Sequence, residues 1–227
     1  MNLISFPTLS GKYLLLVLLT FAPISKRIFA QEIIPEVIIG HQLWMGENLN
    51  VHTFRNGDSI PQARSYQEWA QAARKRQPAW CYFENKEENG ASYGKLYNYF
   101  AVSDPRGLAP EGWRIPSQAD WLDLMVSLGG KDVAGKFLKQ EFGWNDQGNG
   151  TNSSGFSAMP GGFRELSLLK LNEGFVAGGN FGYWWSSTAD TRTESVWIVS
   201  LSFKDDRLFS SFESSFSDGY SVRCVKD

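Results

Sequence analysis

Val196-Trp197-Ile198-Val199-Ser200-Leu201-Ser202-Phe203, then Lys204-Asp205-Asp206-Arg207, then Leu208-Phe209-Ser210-Ser211-Phe212, is the stretch that decides how this chain folds. Trp197, Val199, Leu201 and Phe203 fall on one side of an extended chain, because successive strand side chains point to opposite faces. The charged tetrapeptide reads as a turn, and residues 208–212 return as the next strand. Upstream, residues 183–188 form another strand. Downstream, residues 219–225 close the chain as a strand with Tyr220, Val222 and Cys224 on one face. The C-terminal part is a run of antiparallel strands.

Working outward, residues 36–50 read as a hairpin in which Val37-Ile38-Ile39, a Gly40-His41 turn and Gln42-Leu43-Trp44-Met45 follow one another. Ser65 with Glu68 three residues later is a capping box, and Trp69, Ala72 and Ala73 share a face of the helix it opens. That helix ends near Arg76, ahead of Pro78. A second helix starts at Ser117, with Asp120 at its third position. Its apolar stripe is Trp121, Leu122, Leu124, Met125 and Leu128, and Gly129-Gly130 stops it. Residues 133–140 form a short third helix. Residues 141–180 are rich in Gly, Asn and Ser, too long for a plain linker in a compact domain. They read as an ordered irregular loop pinned by Phe142, Trp144, Phe156, Met159 and Phe163. Strands, helices, a loop region and strands again indicate an α+β fold with an antiparallel sheet fed by both chain ends.

The whole chain has 227 residues, 42% hydrophobic and 15% aromatic, with Trp 9, Phe 16 and Gly 22. Such an aromatic load supplies a rigid core, and the glycine content argues against a helix bundle. A formal net charge of -2 removes the usual electrostatic argument for nucleic acid.

Residues 1–30 read as a leader. Tyr13 to Ala22 is apolar, follows Lys12 and is broken by Pro23; it has the length of a signal-peptide core and is too short to span a bilayer. Ala30 before Gln31 fits cleavage, leaving residues 31–227 as a single domain. No Cys lies near this segment, and no stable transmembrane anchor is expected. The general secretory route, ending outside the cell, at its surface or in the periplasm, is the expected address. Lys26 and Arg27 leave an uncleaved segment open. The two cysteines, Cys81 and Cys224, make a disulfide the leading reading in an exported chain, with two buried free thiols as the alternative. Only His41 and His52 could supplement them, at no metal-ligand spacing, so no metal and no cofactor is expected.

Most chemical motifs fail on inspection. Gly130 to Lys136 has phosphate-loop spacing, but Phe137 stands where Ser or Thr must hold magnesium. Trp144-Asn145-Asp146 matches the tripeptide at lectin calcium sites, but it lies outside a late strand and lacks the proline loop that precedes such sites. Asn149-Gly150-Thr151 and Asn152-Ser153-Ser154 match glycosylation acceptors. Asp120 has a capping role, and Asp104 sits in a turn before Pro105, so neither argues for an acid–base pair. No serine has a base and orienter to match. Trp184, in Tyr183-Trp184-Trp185, could stack on a sugar ring. No catalytic constellation emerges, and the chain reads as a non-enzyme.

Several phrases in fixed order are more specific. They are residues 40–50 (Gly-His-Gln-Leu-Trp-Met-Gly-Glu-Asn-Leu-Asn), residues 93–99 (Tyr-Gly-Lys-Leu-Tyr-Asn-Tyr), and residues 104–117, from Asp104-Pro105-Arg106-Gly107 through Gly112-Trp113-Arg114-Ile115-Pro116-Ser117. Residues 155–164 (Gly-Phe-Ser-Ala-Met-Pro-Gly-Gly-Phe-Arg), Gly182 to Thr188 and Ser221 to Asp227 follow. In this order the chain resembles the Fibrobacter succinogenes major paralogous domain family from about Gly40 to its end. The resemblance implies an exported or surface protein of a Bacteroidetes-type bacterium. It also implies a C-type-lectin-like fold of the kind used by formylglycine-generating enzymes, with two flanking helices and a long irregular loop region. A bridge from the first helix to the last strand, Cys81 to Cys224, is implied too. The enzyme relative's reactive thiol pair has no counterpart, because Cys224 lacks a near partner.

The resulting expectation is a recognition module binding glycan, peptide or protein at the cell surface through the loop region. Asn145, Asp146, Asn149, Asn152 and Trp184 are its candidate contacts. The rivals are an enzyme of the formylglycine-generating type and a purely structural envelope protein.

Overall fold

The computed structural model describes residues 34–166 and 171–227; the expected leader over residues 1–30 lies outside them. The first hairpin forms as its residues dictate. Strands β1 (Glu36–Ile39) and β2 (Gln42–Met45) pair antiparallel, from Glu36 opposite Met45 to Ile39 opposite Gln42. Gly40 turns between them at φ +63, and a Cβ there would collide with the side chain of Ser127.

Helix α1 (Tyr66–Arg74) begins where Ser65 accepts from the Glu68 amide. The Glu68 carboxylate reaches back to the Arg64 amide rather than to Ser65. Then come β3 (Trp80–Cys81), α2 (Asn89–Tyr93), β4 (Leu96–Asn98), α3 (Tyr99–Val102) and β5 (Trp113–Arg114). Helix α4 (Gln118–Ser127) carries a complete capping box, with Ser117 and Asp120 satisfying each other's amides. Asp120 also takes two hydrogen bonds from Arg114, at 2.6 and 2.7 Å. Burial pushes the Asp120 carboxyl up, but Arg114 and Ser117 outweigh it and hold the group well below the usual carboxylate range. Leu122 lies on the stripe read from sequence yet is 44% exposed, so the buried face of α4 is narrower than expected.

After α5 (Ala134–Leu138) and the irregular region come β6 (Phe163–Arg164), β7 (Phe175–Val176), β8 (Phe181–Asp190), β9 (Ser195–Ser202), β10 (Leu208–Ser215), β11 (Gly219–Tyr220) and β12 (Val225–Lys226). The ladders form three sheets, ordered β1-β2-β12-β5, β3-β4-β11-β6-β7 and β10-β9-β8. All strand pairings in them are antiparallel. Both ends of the described chain meet in one sheet, where Val225 lies between Trp44 and Arg114. The fold is α+β.

Two readings need correction. Residues 219–225 are not one strand: β11 and β12 belong to different sheets, and the chain between them crosses over while Ser221 bridges to Trp184. The expected Cys81–Cys224 disulfide is absent, and both cysteines are buried free thiols. Strand alternation is the reason. In the β3–β4 ladder Trp80 faces Tyr97 and Cys81 faces Leu96. Trp80, Tyr97 and Cys224 share one apolar cluster, whereas Cys81 and Leu96 belong to another, with Trp69 and Phe83. The two sulfurs thus sit on opposite faces of this ladder.

A further cluster packs α4 and α5 against β8 and β9 through Trp121, Leu124, Leu138, Trp184, Trp197, Val199 and Leu201. Most of the indoles are hydrogen-bonded as well as buried. Trp69, Trp80, Trp144 and Trp185 donate to backbone carbonyls, and Trp184 donates to Asn48. The Trp121 N–H is fully buried without a partner among the described residues. Two guanidinium groups are interior. Arg223, 1% exposed, donates to Asn48 and to the Met45 and Phe156 carbonyls, and lies 4.1 Å from the Phe156 ring centre. Arg164 donates to the Ala63 and Glu173 carbonyls, between the rings of Trp69 and Phe175. Carbonyls and ring faces do here what a carboxylate does in an ordinary buried ion pair.

Candidate functional site

The residues singled out in the loop serve mainly to shape it. Trp144 is buried, and its backbone amide donates to Asn149 Oδ1 at 3.0 Å. Asn152 accepts from the Ser157 amide at 2.7 Å and donates to the Ser157 hydroxyl at 3.1 Å. Asn145 and Asp146 are exposed on a single 3-10 turn, with Asp146 at φ +48. The Asn145 amide group donates to Asn180 Oδ1 at 2.9 Å, so the two halves of the loop region are tied together. The amides of Thr151, Asn152 and Ser154 all bond to carbonyls of residues 136–139. A Cβ on Gly150 would meet the Lys136 and Lys139 carbonyls. This segment is irregular but stitched closely to α5.

Trp184 does not present a face to solvent. It is 1% exposed and its indole donates to Asn48 Oδ1 at 2.8 Å, which corrects the expectation that it could stack on a sugar. Trp185 is equally buried and donates to the Tyr97 carbonyl. Adjacent strand residues point to opposite faces, and β8 is covered on both faces at this point, so both indoles are core.

The open ground lies farther along the same sheet. One face of β8–β9–β10 is sealed by α4 and α5 over Trp184, Trp197, Val199 and Leu201. The other face is covered at one end, where Trp185 and Ile198 pack with Tyr220 and Phe216. Beyond that it opens into a groove of about 570 Å³. The floor is a cross-strand row, Tyr183 opposite Ser200 and Ser200 opposite Phe209. Phe163 and Glu165 also line it, as do Asp218, from the β10–β11 connection, and Tyr220, from β11. Phe181, Tyr183 and Tyr220 form a pile with centroid spacings of 5.8 and 5.2 Å, and Phe163 meets Tyr183 edge-on at 4.9 Å.

The polar groups of the groove have an uneven charge. Asp218 accepts from the Ser215 amide at 2.9 Å and from the Tyr220 hydroxyl at 3.4 Å. Burial, with the Glu165 carboxylate nearby, pushes the Asp218 carboxyl up to about 6. Burial and Asp218 likewise push the Tyr220 phenol up. Among the described residues, no Lys, Arg or His lines this groove.

A second cleft, of about 380 Å³, lies between the β1–β2 turn and α4. Its basic side chains are answered by acids: Arg114 by Asp120, Lys226 by Glu36, and His41 lies 3.9 Å from Asp123. The thiols lie outside both clefts. Burial pushes Cys81 up to about 11 and Cys224 up to about 12, away from the thiolate a nucleophile needs. Among the described residues, no three His, Cys, Asp or Glu side chains converge as a metal site would require, and no helix is long and apolar enough to cross a membrane.

Sequence reasoning passed over Phe163, Glu165, Tyr183, Ser200, Phe209, Asp218 and Tyr220 as a group. The usable signal was the outward half of the strand alternation. Phe181, Tyr183 and Phe209 place rings on a face that an ordinary one-sided antiparallel sheet gives to polar side chains.

No curated protein and no solved structure matches the chain. A family model, that of the Fibrobacter succinogenes major domain, matches residues 37–226, which take in every strand from β2 to β12 and the groove. The chain belongs to the Fibrobacter succinogenes major domain family.

Proposed function

We propose that this protein is an exported, non-catalytic recognition module with a C-type-lectin-like architecture, and that it takes its ligand in the groove over β8–β10. Support for the architecture comes from the pairing of β1–β2 with β12, the two longest helices α1 and α4, and the irregular region ahead of β8. One observation carries the functional reading. The Tyr183–Ser200–Phe209 row offers rings and hydroxyls to solvent, whereas the loop asparagines Asn149 and Asn152 are engaged within the protein. The irregular region still contributes, because Phe163 and Glu165 are its part of the groove wall. Rings give a ligand area at low entropic cost, and side-chain hydroxyls orient it.

An enzyme of the formylglycine-generating type needs an accessible low-pKa thiol or thiolate-held copper. Cys81 and Cys224 are both fully buried with raised pKa, and they lie on opposite faces of a ladder, which speaks against that chemistry. Immobilised glycan and peptide libraries, probed with the parent protein, Phe209→Ala and Asp146→Ala, test the reading. Capture that is lost in Phe209→Ala and retained in Asp146→Ala is the expected result. Capture that survives Phe209→Ala and disappears in Asp146→Ala would move the site to the loop.

A further inference from the structure

We infer that the groove is built for the protonated side chain of a lysine or arginine carried on an extended peptide. This rests on the groove being the binding face, and it specifies the ligand's charge and backbone. Glu165 and Asp218 both line one concave, ring-walled space with no basic side chain lining it among the described residues. Neither takes part in an ion pair among the described residues. Partly desolvated charges of one sign repel, and bringing in a cation removes that penalty as well as adding attraction. A neutral hydroxyl would hydrogen-bond to either carboxylate without relieving the repulsion. An acidic sugar would increase it.

The ring faces favour the same ligand. A cation within about 6 Å of an aromatic centroid is attracted by the ring quadrupole, most strongly where water is excluded. Phe209 already has a guanidinium, that of Arg207, at 5.3 Å from its centre, and that arginine is held by Asp132 at 3.0 Å. The protein uses the same pairing inside itself, with Arg164 between Trp69 and Phe175. The peptide backbone is argued from β10. It is the outer strand of its sheet, with Phe209, Ser210 and Phe212 exposed. An outer strand offers a row of amides and carbonyls outside its ladder; the Leu208 amide is taken by the Lys131 carbonyl, and an extended peptide adds as a further strand along the rest. Ser210 and Ser211 border the groove from that strand, so a peptide paired there can drop a side chain onto the carboxylates.

The groups facing Asp218 are Glu165 beyond β6, the Ser215 amide of β10 and the Tyr220 hydroxyl of β11. Binding requires its ionised form, so affinity falls as pH drops through about 6.

The test uses tetralysine blocked at both ends, the same peptide with every Nζ acetylated, and cellotetraose, each titrated into the purified protein at pH 7.5 and pH 5. Expected are binding of tetralysine at least tenfold tighter than of its acetylated form, a further loss of several-fold at pH 5, and a weakening of tenfold or more in Glu165→Gln and in Asp218→Asn. Glu165→Gln serves as the control against a folding defect, because Asp218 also holds the β10–β11 turn. Equal binding of the acetylated peptide, preferential binding of cellotetraose, no tetralysine binding at millimolar concentration, or indifference to both substitutions would each overturn the inference. Cellotetraose binding that Phe209→Ala abolishes would overturn the cation while leaving the groove as the binding face. Tetralysine binding that Phe209→Ala leaves intact would remove the groove itself.

Discussion

The two faces of the β8–β9–β10 sheet are made of similar residues and differ in what covers them. On the sealed face Trp184, Trp197, Val199 and Leu201 lie under α4 and α5, each at 4% exposure or less. On the opposite face Tyr183, Ser200 and Phe209 form a row that nothing among the described residues closes. An aromatic side chain on a sheet is therefore ambiguous by itself. Its role follows from whether a helix lies across it, and α4 lies across only one side. The sealed face carries stability and the open one is available for recognition.

The largest expected effect separates these roles. Trp184→Ala leaves a cavity between Phe156 and α4 and removes one of the hydrogen bonds to Asn48, so it should destabilise by about 3–5 kcal/mol. Phe209→Ala on the open face should cost below about 1 kcal/mol, because the ring is already 39% exposed. Urea unfolding of the two variants measures the gap. Equal losses would mean that the groove face is as structural as the sealed one.

A smaller effect concerns the helix that does the sealing. Asp120→Asn weakens the α4 cap and the Arg114 bond and should cost about 1–2 kcal/mol at pH 7. The Asp120 carboxyl is held below its unfolded value, so its stabilisation is present above that value and fades as pH falls toward the folded one. The difference between parent and variant should shrink below about pH 4; a constant difference would deny the charge any part.

On the open face the sign reverses. Asp218 is raised to about 6, so the folded chain holds its proton where the unfolded chain, near about 3.9, has lost it. Stability is full below about pH 4 and declines as pH rises through about 6. Thermal melts should show Asp218→Asn gaining on the parent between pH 4 and pH 7. A parallel pair of curves would mean that the carboxylate is well solvated.

The smallest effect is on the thiols. The native protein should react with neither mole of a thiol reagent over minutes and with both after unfolding, without any reductant. One fast native thiol would reopen the enzymatic reading, and none after unfolding would restore the disulfide.

Much of the frame was legible because its signals are local or periodic. Ser117 and Asp120 announce α4, Gly40 announces the first turn, and the alternation of Trp197, Val199 and Leu201 announces β9. The two- and three-residue strands β3 to β7 carry too few residues for a period, and they exist through long-range pairing. That is why the disulfide reading failed: without β3 there was no way to assign Cys81 to the Leu96 face. The single strand expected over residues 219–225 failed similarly, since Tyr220, Val222 and Cys224 do share one apolar cluster while the hydrogen bonds switch sheets after Tyr220. The loop asparagines drew notice as exposed polar groups, and their capture by Trp144 and Ser157 amides depends on where the chain returns. The groove was hidden because only the inward stripe of each strand was read.

The most direct test of the account is ligand capture by Phe209→Ala beside Asp146→Ala, with thermal melts of both. The account predicts that Phe209→Ala loses binding by tenfold or more while melting like the parent, and that Asp146→Ala binds as the parent does. Retained binding in Phe209→Ala, together with loss in Asp146→Ala, would contradict it.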